Sequence, residues 1–337
     1  MDLLSTLRFV RSMLFAPDRE VGEPVPLDTP AGPIAADAYR PRGRPWGSVI
    51  VLHGLALRGH RDPRLLRLGW AFADCGLVAV LPQVQPMADL RLHPLAWPTI
   101  VHALEAVAKD PSLRGPGRIG VFAPSYAGGQ ALHAATQPSV ADDVSAMMLV
   151  GAYADGRALL RHVMANTDAD PYGRLILVRH ALEATGDLSP GLAAAIDAQL
   201  VDLGLEPEPP RLPGALASME GADRRRFLAL RDDVGARLAF ADEVLTRHGE
   251  AIDTLTVTGA LDVLDTPVAL LHGAHDPVIP SSESTFIRDT LRRKGKPVRL
   301  CTTRLLDHGN VTAKGASLLD LPRLMSTFAF WFAHLAR

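Results

Sequence analysis

Short apolar, β-rich runs alternate with stretches of helical periodicity along most of the chain. The runs are SVIVL (48–52), LVAVL (77–81), RIGVF (118–122), AMMLV (146–150), PVALL (267–271) and PVRLC (297–301). Strands buried on both faces read as near-continuous hydrophobic runs, so this pattern predicts an α/β fold with a mostly parallel, doubly wound sheet. Residues 21–40 add two antiparallel strands, because Val25, Leu27, Ile34 and Tyr39 sit among Pro and Gly turn signals. In the last helix, Leu321, Leu324, Phe328, Trp331 and Leu335 form a stripe expected to face the core.

The alternation stops between about residues 153 and 262, where helical periodicity takes over. The expected organisation is an N-terminal helix (1–20), an α/β core (21–152 and 263–337) and a helical insertion (153–262). Within the insertion Leu192, Ile196, Leu200 and Leu203 share a helical face, EPEPPRLPG (206–214) reads as a rigid connector, and Gly249 terminates the helix that carries Leu238 and Val244. Arg224, Arg225 and Arg226 read as a solvated face, the alternative being an anion site. No internal repeat or low-complexity tract is visible.

At the N-terminus, Leu3, Leu7, Val10 and Leu14 recur at helical spacing, with Phe9, Met13 and Phe15 widening the apolar face. Packing against the body is the first reading of this helix, and shallow, peripheral membrane contact or a partner surface is the second. Asp2, Arg8 and Arg11 interrupt the apolar run and no small-residue cleavage site follows, so a cytoplasmic protein is expected. No stretch is long and apolar enough to serve as a transmembrane segment.

The 337 residues are 47% hydrophobic, enough for a large core. Lysine plus arginine number 35 against 37 aspartates and glutamates, for a net charge of -2, and the basic residues are scattered. That distribution argues against nucleic acid as a partner. The two cysteines, Cys75 and Cys301, lack metal or redox spacing and read as buried fillers.

The chemistry centres on GVFAPSYAGG (120–129), where a strand meets small residues around one serine. Pro124 disfavours a helical conformation at Ala123, and helix-compatible sequence begins at Tyr126, so Ser125 sits on a corner. A serine at such a position is either a helix N-cap or a nucleophile on a strained strand-to-helix elbow. The elbow needs small residues two before and two after the serine. Here they are Ala123 and Ala127 instead of the glycines of G-x-S-x-G, with Gly128 and Gly129 next to let the helix approach the sheet. HGAHDPVIP after PVALL places Asp276 in a loop at the carboxyl end of the sheet, and TTRLLDHGN after PVRLC places His308 in the next one. Ligands of open α/β sheets gather at that end, so the topology itself brings Ser125, Asp276 and His308 together. HGLAL (53–57) follows SVIVL as a turn able to aim backbone N–H groups at a carbonyl.

With these motifs in the order Ser, Asp, His, the chain resembles the α/β-hydrolase superfamily, in its dienelactone-hydrolase and esterase-like branches, over nearly all its length outside the insertion. The resemblance implies Ser125 as nucleophile, His308 as general base and Asp276 as its orienting acid. It also implies backbone N–H groups of Leu55 and Tyr126 as the oxyanion hole, and no cofactor or metal. HGAHDPVIP matches the family pattern closely. The elbow departs from it at Ala123, Pro124 and Ala127, so the reach of Ser125 to His308 is the point on which the expectation turns.

Other residues compete for these roles. Asp155, after AMMLV, and Asp307, beside His308, read as surface or structural acids. His272 and His275 fit no common zinc spacing. His53 reads as a residue that shapes the turn by hydrogen bonds. GPGRIG (115–120) matches G-x-G-x-x-G formally, but its glycines precede a strand where a dinucleotide site needs them to follow one. The sequon at Asn310, Val311 and Thr312 carries little weight without a secretion signal. The insertion, rich in Leu, Ala and Val, is expected to form a helical cap over an apolar pocket; Asp89, Arg91 and His93 read as solvent-exposed, the alternative being that they border the site and bias it toward a polar or charged group. The expectation is a hydrolase for an ester or thioester with a hydrophobic part. The alternatives are acyl transfer or peptide cleavage by the same three residues, or a binding protein that retains the fold without catalysis.

Overall fold

The computed structural model describes residues 2–15, 20–92, 96–308 and 320–336. His93 and the 310–312 sequon lie outside the described residues. Eight strands form one sheet: β1 (Glu23–Pro24), β2 (Ala36–Tyr39), β3 (Gly47–Val51), β4 (Leu77–Pro82), β5 (Ile119–Pro124), β6 (Val144–Val150), β7 (Val268–Gly273) and β8 (Val298–Thr303). Their spatial order is β1-β2-β4-β3-β5-β6-β7-β8. β1 and β2 are antiparallel to their neighbours, and β3 to β8 run parallel. All six runs seen in the sequence are strands within a residue or two.

The helices before the insertion are α1 (Asp2–Phe15), α2 (Pro63–Asp74), α3 (Gln85–Ala88), α4 (Ala96–Lys109), α5 (Pro111–Arg114) and α6 (Tyr126–Ala134). Between β6 and β7 come α7 (Gly156–Ala165), α8 (Pro171–Thr185), α9 (Pro190–Leu205), α10 (Leu212–Ala217), α11 (Gly221–Asp232), α12 (Val234–Arg247), α13 (Gly249–Asp253) and α14 (Ala260–Val263). α15 (Ser281–Arg293) and α16 (Asp320–Leu335) complete the set. Asp155, Asp170 and Ser189 accept N–H groups of the first turns of α7, α8 and α9, which fixes where each helix begins.

Side-chain alternation sorts the strands onto two hydrophobic faces. Ile50, Val80 and Val121 join one core with α4, α6, α15 and the insertion. Val49, Ala79 and Phe122 join the other, with α1, α2 and α16. The insertion is rooted by its own ends. The Val257 N–H donates to Ala154 O at 2.9 Å and the Gly156 N–H to Thr256 Oγ1 at 3.0 Å. Buried Glu283 of α15 accepts the N–H groups of Ala154 and Asp155 at 2.8 and 3.0 Å.

Four local expectations are corrected. α1 packs on α2 and α16 through Phe9, 4% exposed, with Thr6 and Ser12 buried beside it. Leu7, Leu14 and Phe15, expected on the packed face, are 48%, 56% and 78% exposed. The helix turned because Phe9 stacks among Phe72, Phe328 and Phe332, while Ser12 donates to Asp74 at 2.7 Å. In α16 Leu324 is partly buried and packs against the core with Phe328, Trp331 and Leu335, as expected, whereas Leu321 is 37% exposed. α12 ends at Arg247, and Gly249 opens α13 instead of closing α12. The connector after α9 is shorter than its proline content suggested, because Leu212 already starts α10.

Candidate active site

β5 ends at Pro124 and α6 starts at Tyr126, leaving Ser125 with φ 53° and ψ -131°. That conformation costs a non-glycine residue about 1–3 kcal/mol. It is held by the Ser125 N–H donating to Val150 O at 2.7 Å and by the Gly128 N–H donating to Ser125 O at 2.9 Å. The Ser125 side chain makes no capping bond to α6. Pro124 leaves the corner intact, and the methyl groups of Ala123 and Ala127 are fully buried beside it. Gly128 and Gly129 permit the approach of α6: a Cβ on Gly128 would lie 2.6 Å from Ala152 Cβ, and one on Gly129 2.8 Å from the Tyr153 ring. The Tyr126 and Tyr153 rings stack at 5.8 Å, 4° from parallel.

Ser125 Oγ lies 2.8 Å from His308 Nε2. His308 Nδ1 lies 3.0 and 2.9 Å from the two Asp276 oxygens. The carboxylate only accepts, so it keeps the proton on Nδ1 and leaves Nε2 as acceptor for the serine hydroxyl. Asp276 Oδ1 also accepts the N–H groups of Val278 and Ile279, both at 2.9 Å. Burial works to raise the Asp276 carboxyl, but the bond and charge of His308, with those two amides, outweigh it and hold the group below the usual carboxylate range.

The turn after β3 is set by His53, which is fully buried. Its Nε2 accepts the Val84 N–H at 3.0 Å, so Nδ1 carries the proton and donates to Gly54 O at 2.7 Å. Burial pushes His53 down to about 4, which keeps it neutral. Leu55 of this turn and Tyr126 border the same cavity as Ser125 and His308. The cavity measures about 650 Å³ and is lined from the insertion by Tyr172, Ile176 and Leu177 of α8.

The remaining candidates fall elsewhere. Asp155 caps α7, and Asp307 borders the cavity. His272 is buried and His275 exposed, and among the described residues no three His, Cys, Asp or Glu side chains cluster as metal ligands. Asp89 accepts from Gln85, and Arg91 pairs with Glu183 of α8 at 2.7 Å, tying the loop after β4 to the insertion. Arg226 pairs with Asp187, while Arg224 and Arg225 are exposed. Cys75 and Cys301 are buried, and burial pushes their thiols up to about 12 and 11.

Among solved structures, the chain is similar to an acylaminoacyl peptidase from Pyrococcus horikoshii, at 13% identity and a TM-score of 0.52, covering 94% of this chain and 42% of that one. It therefore spans about two fifths of that peptidase. It is also similar to a dienelactone hydrolase from Anabaena variabilis, at 16% identity and a TM-score of 0.50, covering 94% and 99% of the two chains. A lipase in an open form aligns at 17% identity and a TM-score of 0.53, over 93% and 99%. The chain has the α/β-hydrolase fold. No protein-family profile matches it, and no curated protein matches it in sequence.

The roles of three residues in this α/β-hydrolase fold escaped the sequence reading. Gly151, at the end of β6, has φ 59°, and a Cβ there would stand 3.2 Å from Asp276 Oδ2 and 3.6 Å from His308 Nδ1. A glycine directly after a predicted strand was its only signal. His272 receives the Ser284 hydroxyl at 2.7 Å and donates from Nε2 to Ile279 O at 2.8 Å, so it clasps the turn that carries Asp276. Glu283, which roots the insertion, looked like an ordinary helix acid.

Proposed function

We propose that this chain is a serine hydrolase that cleaves a carboxylic ester or thioester of a hydrophobic substrate through an acyl-enzyme. The observation that carries this reading is the chain of bonds from Asp276 through His308 to a strained serine, 2.9 and 2.8 Å long. In the proposed cycle Ser125 Oγ attacks the substrate carbonyl carbon while its proton passes to His308 Nε2. Asp276 holds the imidazole in the required tautomer and stabilises its charged form. The carbonyl oxygen becomes an oxyanion, received by the backbone N–H groups of Leu55 and Tyr126, each donor contributing roughly 2.7–4 kcal/mol to the transition state. Collapse of the intermediate breaks the bond to the leaving oxygen or sulfur, which takes the proton from His308. Water then repeats the sequence on the acyl-enzyme and releases the acid. The helices from α7 to α14 act as the cap in this reading, and the apolar lining at Leu55, Ile176 and Leu177 favours a hydrophobic substrate.

The test is a fluorophosphonate probe, which phosphonylates only an activated serine. Wild-type protein is expected to be labelled and Ser125→Ala to be silent. Absence of labelling in folded wild-type protein would overturn the proposal.

A further inference from the structure

The cavity beside Ser125 extends beyond the cap side of the sheet. Ile176 and Leu177 of its lining belong to the core shared with the insertion, whereas Phe9, Leu65, Phe122 and Phe328 belong to the core on the opposite face. The sheet separates those two cores, so a single cavity touching both must pass over the carboxyl edge of the strands. Ser125, Gly151 and Gly273 lie on that edge and on the cavity wall. On the far side this limb is walled by α1 and α16, which pack on each other through Phe9 and Phe328. Val10, Met13 and Leu14 line it from one helix, and Leu321, Leu324 and Phe328 from the other.

This placement explains two departures from the sequence expectation. Leu321, at the start of the α16 stripe, is 37% exposed and Leu324 only partly buried, because both border the cavity, Leu324 while also touching the core. α1 presents only apolar side chains to the limb, while Arg8 and Arg11 are exposed. Asp62 and Arg64, also on the cavity wall, bond to each other at 2.8 and 2.9 Å and so neutralise their charges. The α1–α16 limb therefore matches a hydrocarbon chain and offers nothing to a polar headgroup.

We propose that this limb is a subsite for a long aliphatic chain, making the substrate a lipid-type ester or thioester whose chain crosses the sheet edge and is measured by α1. The chemistry at Ser125 rests on the function proposed above, but occupancy of the limb does not. Each methylene taken up should improve affinity about fourfold until the limb is full.

The test uses the Ser125→Ala protein, in which turnover is absent, with displacement of the fluorescent polyene cis-parinaric acid by butanoic, octanoic and hexadecanoic acids. Hexadecanoic acid is expected to bind at least a hundredfold more tightly than butanoic acid. Met13→Trp, or Leu324→Trp from the opposite wall, should cut that ratio at least tenfold. Leu4→Ser, on the exposed outer face of α1, should leave it unchanged. Equal affinity for the three acids, or a ratio that survives both tryptophans in variants that keep the parental melting temperature, overturns the subsite. Chain binding without fluorophosphonate labelling of wild type would retain the subsite and reject the hydrolase, and labelling without chain-length dependence would do the reverse.

Discussion

Gly151→Ala tests whether the site geometry depends on a backbone atom rather than on the three reacting side chains. Two costs are expected. The residue sits at φ 59°, where an alanine costs roughly 1–2 kcal/mol. Its methyl group would stand 3.2 Å from Asp276 Oδ2, an atom that cannot simply swing away, because Oδ1 of the same carboxylate is held by two amides at 2.9 Å. Relief by roughly 0.3 Å would stretch the His308 contact to the edge of the hydrogen-bond range. Misplacement on this scale is expected to lower kcat/KM about 10- to 100-fold, short of the roughly 10⁴-fold loss when the carboxylate is abolished. The control is Gly186→Ala, at φ 74° with no neighbour within 4 Å of the added carbon. Both variants should lose a few degrees of melting temperature, and only Gly151→Ala should lose activity on a p-nitrophenyl ester and labelling rate with a fluorophosphonate. If the two variants melt alike and both react at the wild-type rate, the close packing argued for Gly151 is wrong.

Asp276→Asn should keep the fold and reduce kcat about 10⁴-fold, since an amide cannot hold the proton on His308 Nδ1, and near-normal turnover by stopped assay would remove Asp276 from the mechanism. His53 supplies a pH test: its folded value is depressed from 6.5 to about 4, so its contribution to stability is complete above pH 6.5 and is lost as pH falls toward 4. The linked loss is about 3 kcal/mol. His53→Gln should flatten that part of the profile in urea titrations, and an unchanged acid slope would contradict it. Phe9→Ala should destabilise the protein by about 3–5 kcal/mol, since the ring is buried against Phe72 and Phe328 at 4.9 and 4.7 Å. A denaturation midpoint equal to wild type would mean that α1 is not docked as described.

The strands were legible because strands buried on both faces leave unbroken apolar runs, and the segments that follow β5, β7 and β8 pointed to Ser125, Asp276 and His308. The orientation of α1 was not, because leucines and aromatics surround that helix and periodicity cannot choose among several apolar faces. Phe9 was selected by Phe72 and Phe328, partners remote in sequence. Leu321 misled for a related reason: hydrophobic spacing does not distinguish a core wall from a cavity wall. Gly151 and Glu283 act through close approach and through amides of another segment, and neither leaves a local pattern.

The clasp between residues 154–156 and 256–257 means that the chain leaves the α/β body and returns to it at nearly the same place. Closing the chain across that junction therefore costs the scaffold little loop entropy, and what holds the hundred or so residues between in place is the core they share with the sheet. Such a junction makes the helical layer a separable attachment, set on the sheet through one narrow base.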